Sequence, residues 1–447
     1  MDVTSGDPTR SPESKVYPTW WPDEKIRVQR AADQVTEIVA QLSKTGPVEV
    51  VVSRQGDGSG LVEEVAPDRS DWGDMIYMMR RGRILVRDAD VARVREAVGG
   101  LTPLPDGING LTVLETAEPT LRTLSRIDAA VGTGVAFPDH VVHVTPGGGG
   151  GGACPATEPL VTAATEPHPT RPWHHDCSGA GILVSVVDTG FDPELAKRTS
   201  WLQGVAGEPE HYDPDHLGPY AGHGTYAAGV IRLMAPESGV YVHSFLPHGG
   251  AIFESDIVAA LQRALADHPD VVSMSAGTYT RGDLGMLAFR VLWENFAPKG
   301  CVLVAAAGNE GDRKPFFPAA DWYAVGVGAL DPDGGRAAYS NFGRWVDCYA
   351  LGTEHINAFP YGTYDYQQEP LKGQHATFDH GLALWSGTSF ATPLVAGVIA
   401  ARMTWSGENG QQAAQSVLAL ARTNATVAIG AVVQPWMACR PEWGCGA

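Results

Sequence analysis

Apolar residues along this 447-residue chain recur with two different periods, and the change from one regime to the other marks its organisation. Near the N-terminus Ile26, Val35, Ile38, Val39 and Leu42 follow a helical spacing, which predicts an amphipathic helix over residues 23–43. Val48–Val52 is a short β-rich run, and the Gly- and Asp-rich stretch Arg54–Asp74 predicts a loop. Between about 75 and 145 the elements alternate: strand Arg83–Arg87, helix Asp90–Val98, strand Leu111–Leu114, helix Pro119–Val131, strand Val141–Val144. That order is the pattern of a small α+β sandwich with its helices on one face of a sheet. Six consecutive glycines, Gly147–Gly152, open a Gly/Pro-rich stretch over 146–172 that reads as a flexible linker and domain boundary. Neither Lys-Ser/Thr nor a helix follows the glycines, so they are not read as a phosphate loop.

Beyond the linker the pattern changes to continuous apolar strands alternating with helices, the signature of a mostly parallel sheet covered on both faces. The predicted strands are Gly181–Asp188, Val240–Leu246, Val271–Ser275, Cys301–Ala306, Tyr323–Leu330 and Trp345–Ala350. The helices between them are Ser255–Ala266 and Leu284–Phe296. The expected fold is therefore α/β over 173–430, preceded by a small α+β domain, with a polar arm at 1–22 and a tail at 431–447.

Composition narrows the partners. Fifty-one acidic against 32 basic residues give a formal charge of −19, the wrong sign for a nucleic-acid partner. Met1–Lys15 is polar, without the apolar core of an export signal. No stretch approaches the roughly 20 apolar residues that span a bilayer. The sequence as it stands thus predicts a cytoplasmic protein without a membrane partner, or a secreted one if a leader has been removed. Cys154, Cys177, Cys301, Cys348, Cys439 and Cys445 contain no Cys-x-x-Cys pair, so no zinc site is expected. Cys301 and Cys348 read as buried small hydrophobes, and Cys439 with Cys445 would close a loop only in an oxidising compartment.

The chemistry concentrates at strand ends. Gly387-Thr388-Ser389-Phe390-Ala391-Thr392-Pro393 opens an apolar helical run to Met403, so Ser389 sits in a first helical turn beside unpaired backbone N–H groups. Pro393 is expected to mark where that helix begins. A serine becomes a nucleophile when a base takes its proton and a carboxylate orients that base. Asp188 ends a buried strand in Val187-Asp188-Thr189-Gly190, and His223 lies in Gly222-His223-Gly224-Thr225 before a small-residue helix. Asn309, in Ala306-Ala307-Gly308-Asn309-Glu310-Gly311, ends another strand, where an amide can donate to a developing oxyanion together with the Ser389 N–H.

These four blocks, in the order Asp, His, Asn, Ser, resemble the subtilisin-like serine proteases, the subtilase family, over about 178–405. The resemblance implies Asp188 as orienter, His223 as general base, Asn309 as oxyanion donor and Ser389 as nucleophile of an endopeptidase acting on protein or peptide substrates. It implies that Ser275-Ala276-Gly277 forms a substrate-binding edge, with Ala276 replacing a bulkier aliphatic residue in a way that widens the subsites. Gly308 would line the first specificity pocket, with Glu310 at its rim. Tyr226 departs from the frequent second histidine, and an insertion of unknown role falls within Thr353–His380. Family members often hold calcium, but Asp213, Asp215, Asp331 and Asp333 lie in turns and read as solvated, so no cofactor or metal is assigned. His174, His175, His211 and His216 read as surface residues. Phe137-Pro138-Asp139-His140-Val141-Val142-His143-Val144 resembles the end of a subtilase propeptide, which makes 83–145 a candidate intramolecular inhibitor and chaperone. The competing reading is a catalytically silent peptide-binding module on the same fold.

Overall fold

The computed structural model describes residues 24–55, 61–144, 157–169, 179–246, 250–426 and 429–439. The 1–22 arm, the glycine run, Cys154, Cys177, Cys445, His174 and His175 lie outside them.

The N-terminal part comprises α1 (Glu24–Leu42), β1 (Val48–Gln55), β2 (Leu61–Val65), β3 (Met75–Arg87), α2 (Val91–Ala97), β4 (Leu101–Ile108), β5 (Leu111–Thr116), α3 (Thr120–Val131) and β6 (Ala136–Val144). The α1 helix buries Val35, Ile38 and Leu42 against Val50, Met75, Met78 and Phe253, the face its periodicity selects. Two strands escape the pattern. β4 carries prolines and a break in its pairing with β5, and β2 lies in the stretch expected to be loop. β3 is long enough to pair with β1 at its start and with β5 at its end, so 83–145 is not a separate sheet but half of one.

The second part begins with β7 (Leu183–Asp188), α4 (Pro193–Arg198), β8 (Val205–Gly207), α5 (His223–Met234), β9 (Gly239–Ser244), β10 (Ala251–Phe253), α6 (Glu254–Leu265), β11 (Val271–Met274), β12 (Ala276–Gly277) and α7 (Leu287–Phe296). It continues through β13 (Val302–Ala306), β14 (Ala324–Leu330), β15 (Cys348–Leu351), β16 (His355–Ala358), β17 (Gly362–Asp365), β18 (His375–Phe378), β19 (Leu382–Trp385), α8 (Thr388–Ser406) and α9 (Gly410–Thr423). Among the described residues seven strands form a parallel sheet in the order β15-β14-β13-β11-β7-β9-β8. The chain leaves β7 toward β9 on one side and returns to β11 on the other. The switch point of this α/β sheet, where sites form, therefore lies at the carboxyl end of β7. Helix α8 is buried along nearly its whole length, and Leu394, Val398 and Ile399 belong to the largest apolar cluster.

The two parts share a sheet. β6 pairs with β3 at its start, while its last residues run antiparallel to both β10 and β12. All nine residues of β6 are buried, as expected for a strand covered on both faces.

Three expectations change. Residues 157–169, read as linker, bind the second part: Leu160 and Leu384 exchange backbone hydrogen bonds of 2.8 and 2.9 Å, and His168 exchanges two with Ile356. The Glu158 carboxylate accepts from Gln367 N, Gln368 N and Tyr364 Oη, and Trp385 Nε1 donates to Thr157 O at 2.7 Å. Segment 431–439, read as tail, packs on the core through Val433, Met437 and Ala438, where Val433 N donates to Tyr349 O and Tyr349 N to Ala431 O, both at 2.8 Å. The 353–380 insertion, a Tyr/Gln/His-rich stretch expected to be loop, carries the antiparallel pair β17–β18, and its β16 pairs with β19 just beyond it.

Candidate active site

Three neighbouring strands of the parallel sheet deliver the candidate residues to one edge. β7 ends on Asp188, β11 leads to Ser275, and β13 leads through Ala307 and Gly308 to Asn309. His223 is the first residue of α5, and Gly222 before it adopts φ 77°, a turn glycine permits, where a Cβ would meet Pro360 Cδ at 2.2 Å. Asp188, His223, Asn309 and Ser389 are all buried.

Asp188 Oδ1 accepts from Thr189 N at 2.8 Å and lies 2.7 Å from His223 Nδ1. This bond places the imidazole proton on Nδ1 and leaves Nε2 as the basic nitrogen. The ring stands edge-on to Trp385 at 5.3 Å and tilted to Phe390, the residue after Ser389, at 5.5 Å. Sequence reasoning missed Glu210, whose carboxylate accepts from Gly222 N with both oxygens at 3.1 Å. Burial pushes its carboxyl up to about 8, with Asp188 and Asp192 adding to the shift. It ties the turn that starts α5 to the turn that follows β7, and a Glu three residues beyond a short strand carries no sequence signal for that. Beside it, a cleft of about 620 Å³ opens against α1, lined by Glu37, Thr189, Tyr220 and Leu246.

Asn309 Oδ1 accepts from both Thr388 N and Thr388 Oγ1 at 2.9 Å. Two donors on one oxygen fix the amide's orientation and turn Nδ2 the other way. Nδ2 and Ser389 N each lie 3.6 Å from the point where a Cβ on Gly387 would stand, so both donors face the space that glycine leaves open. Such a pair can stabilise an anion forming next to the serine oxygen.

Pro393 lies inside α8 rather than at its start, correcting the expected boundary. A proline there cannot donate to the carbonyl four residues earlier, which is that of Ser389. Ser275 Oγ donates to that carbonyl at 2.9 Å instead. Ser275, expected to bind substrate, thus holds the backbone of Ser389. Ala276 and Gly277 form β12 and pair with Val144 and His143, which makes them an edge that binds an extended chain. Gly308 adopts φ 98°, and Glu310 is buried and receives Asn341 Nδ2 at 2.7 Å. Burial first, with Asp312 nearby, pushes the Glu310 carboxyl up to about 8, so it is no exposed rim charge.

Of the remaining candidates, His211 and His216 are exposed. Asp213 accepts from Asp215 N, and Asp331 accepts from Thr353 Oγ1. Cys301 and Cys348 are buried, and burial pushes the Cys301 thiol up to about 12. No helix among the described residues is long and apolar enough to cross a membrane.

The subtilase family model matches residues 179–429, more than half of the sequence. This chain belongs to the subtilase family. It is 30% identical over 258 residues to the thermophilic serine proteinase of Bacillus sp. strain AK1, a match covering 55% of this chain and 57% of that protein. It is also 30% identical to the subtilisin of Bacillus pumilus, over 50% of this chain and 77% of that one. Thermitase of Thermoactinomyces vulgaris matches at 30%, over 49% and 74%. The chain thus spans little more than half the length of the first of these relatives. Among solved structures, fervidolysin from Fervidobacterium pennivorans, a keratinolytic enzyme related to subtilisin, superposes with a TM-score of 0.54 at 18% identity, covering 80% of this chain and 61% of that one. That likeness concerns the fold.

Proposed function

We propose that this subtilase is a serine endopeptidase that hydrolyses peptide bonds through an acyl-enzyme and is held in check by its own N-terminal part. The observation that carries the reading is the convergence of the Asp188–His223 pair with the two donors, Asn309 Nδ2 and Ser389 N, around the start of α8. Ser389 Oγ attacks the scissile carbonyl carbon while His223 Nε2 takes the hydroxyl proton. The carbonyl π electrons move to oxygen, and the resulting oxyanion accepts from Asn309 Nδ2 and Ser389 N. Asp188 stays ionised and stabilises the imidazolium. On collapse the C–N bond breaks, His223 returns its proton to the leaving amine, and a water repeats the cycle to release the acid.

The inhibitory half of the proposal rests on β6. Its residues Val141–Val144 lie between β10 and β12 as an added antiparallel strand, with His143 opposite Gly277, Val144 opposite Ala276 and Val144 N donating to Gly250 O at 2.7 Å. A peptide substrate bound by strand addition would use the same backbone groups. Tethering keeps such a segment at about millimolar effective concentration, so a weak intrinsic affinity suffices to close the groove. Labelling with a fluorophosphonate is the direct test. Adduct on Ser389 in the full chain, lost in Ser389→Ala, supports the enzyme, and a chain with no adduct after forced undocking of β6 is the silent peptide-binding module instead.

A further inference from the structure

The groove also constrains which residue can precede the cleaved bond, an inference that rests on the reading that β6 lies where a substrate strand lies. Side chains alternate along a strand, so a substrate residue two positions beyond one lying in the place of His143 would turn its side chain to the face that His143 uses. On that face His143 meets the ring of Phe316, with centroids 6.2 Å apart at 64°. Phe316 is fully buried and spans the space between two backbone walls, Gly277 in β12 and Gly308 beyond β13. A Cβ on Gly277 would stand 2.4 Å from Phe316 Cε1, and one on Gly308 would stand 3.2 Å from Phe316 Cγ. Behind the ring, Tyr279 packs edge-on at 5.3 Å. Asn341 Nδ2 closes the back, lying 2.7 Å from Glu310 Oε2, 2.9 Å from Ala307 O and 3.2 Å from Tyr279 Oη. The ring has glycine on two sides and a bonded polar cluster behind it, so it has no free direction in which to withdraw.

We propose that Phe316 fills the pocket beneath the scissile residue and restricts that residue to small side chains, of the size of glycine, alanine, serine or threonine. Thr145, which follows Val144 in the sequence, is of this class. Whatever width Ala276 gives the neighbouring subsites, the phenyl ring would take up the space that a large side chain before the scissile bond needs.

The test uses the full chain and two peptide anilides identical except for alanine or phenylalanine before the scissile bond. The ratio of their kcat/KM values does not depend on what fraction of the enzyme β6 holds closed, because both substrates meet the same open fraction. One misfitting methylene is worth about 10–200-fold, so the unmodified chain should favour alanine by at least about 100-fold. Phe316→Gly should move the ratio toward phenylalanine by about 100-fold or more, and Phe316→Leu, which keeps the site apolar and guards against misfolding, by a smaller factor in the same direction. A native chain that cleaves after phenylalanine as readily as after alanine overturns the proposal, and so does a ratio unmoved in both variants. Fluorophosphonate labelling of the same preparations after forced undocking of β6 separates the two levels: absence of adduct on Ser389 overturns the hydrolase reading and the pocket with it, whereas adduct with an unchanged ratio overturns the pocket alone.

Discussion

Two buried imidazole–carboxylate pairs in this molecule invite comparison. At the sheet edge His223 Nδ1 lies 2.7 Å from Asp188, and where the N-terminal part meets the catalytic part His140 Nδ1 lies 2.9 Å from Glu254. Both pairs sit at a helix start, His223 opening α5 and Glu254 opening α6. They differ in what surrounds them. His140 Nε2 accepts from Arg281 N at 3.3 Å, and Glu254 Oε1 accepts from Ala288 N at 2.7 Å, so the interface pair is committed on every side to backbone. The ring of His223 is instead framed by aromatic rings, Trp385 at 5.3 Å and Phe390, the residue after Ser389, at 5.5 Å. A His–carboxylate bond is therefore not a signature of catalysis. What distinguishes the two is their setting: backbone N–H groups hold the His140–Glu254 pair, whereas the His223–Asp188 pair lies beside the start of α8 that carries Ser389.

The largest expected effect breaks the two pairs separately. His223→Ala should lower kcat by several orders of magnitude, on the order of 10⁶, as should Ser389→Ala, because members of such a unit fail together. His140→Ala should leave the chemistry in place but loosen β6, raising peptidase activity of the full chain. Parallel assays of the three variants check this, and equal losses in His140→Ala and His223→Ala would erase the distinction. Next in size, Asn309→Ala should cost roughly 10²–10³ in kcat with little change in KM, since its donor matters where charge develops. Steady-state kinetics separate this from a pure KM effect, which would place Asn309 in ground-state binding.

A carboxyl next to the interface pair carries a pH dependence. Asp139, beside His140 on β6, caps α6 by accepting from Ser255 N at 2.9 Å and Ser255 Oγ at 2.7 Å. Burial first, with Glu254 adding, pushes its carboxyl up to about 7 against the pull of Ser255 and of Arg80, which lies 3.8 Å away. The docked form thus holds a proton that an exposed carboxyl releases near 4. Docking contributed by this group is complete below about 4 and is lost as the pH rises toward 7, by at most tenfold per pH unit. Activity of the full chain divided by that of Asp139→Asn, whose amide cannot titrate, should rise across pH 4–7. A flat ratio would show that Asp139 does not control docking.

The sequence announces the catalytic edge far better than the interface. Asp188, His223, Asn309 and Ser389 stand in short Gly-flanked blocks, because each must leave a buried strand or enter a helix through a tight turn that only small residues permit. The strand–helix alternation beyond residue 180 is legible for the same physical reason, since strands buried on both faces are continuous apolar runs. The N-terminal sheet is less legible: β2 and β4 are partly exposed and interrupted by charged or proline residues. What escapes altogether is long-range. Glu210 on Gly222, Glu158 on Gln367 and Gln368, and Glu254 beneath His140 are acids whose partners lie between about 10 and 210 positions away. No local period encodes such a pairing.

The smallest expected effect concerns what keeps the catalytic pair's partner in place, a need the interface pair does not share. Pro393 deprives the Ser389 carbonyl of its helical donor, and Ser275 supplies a hydroxyl in its stead. In Ser275→Ala a buried carbonyl loses that hydroxyl, which costs about 1–3 kcal/mol. Pro393→Ala restores a backbone N–H at the position that can close the helical bond, so in the Ser275→Ala background it should recover part of the loss. Urea midpoints of the four proteins form a double-mutant cycle, with an expected coupling of about 1 kcal/mol between two residues more than 100 positions apart in sequence. The rescue should also show in the kinetics: Ser275→Ala lowers kcat severalfold by letting the first turn of α8 shift, and the double variant regains it. If the two changes are simply additive, the hydroxyl of Ser275 is not standing in for the missing N–H, and the start of α8 is held by Thr388 on Asn309 alone.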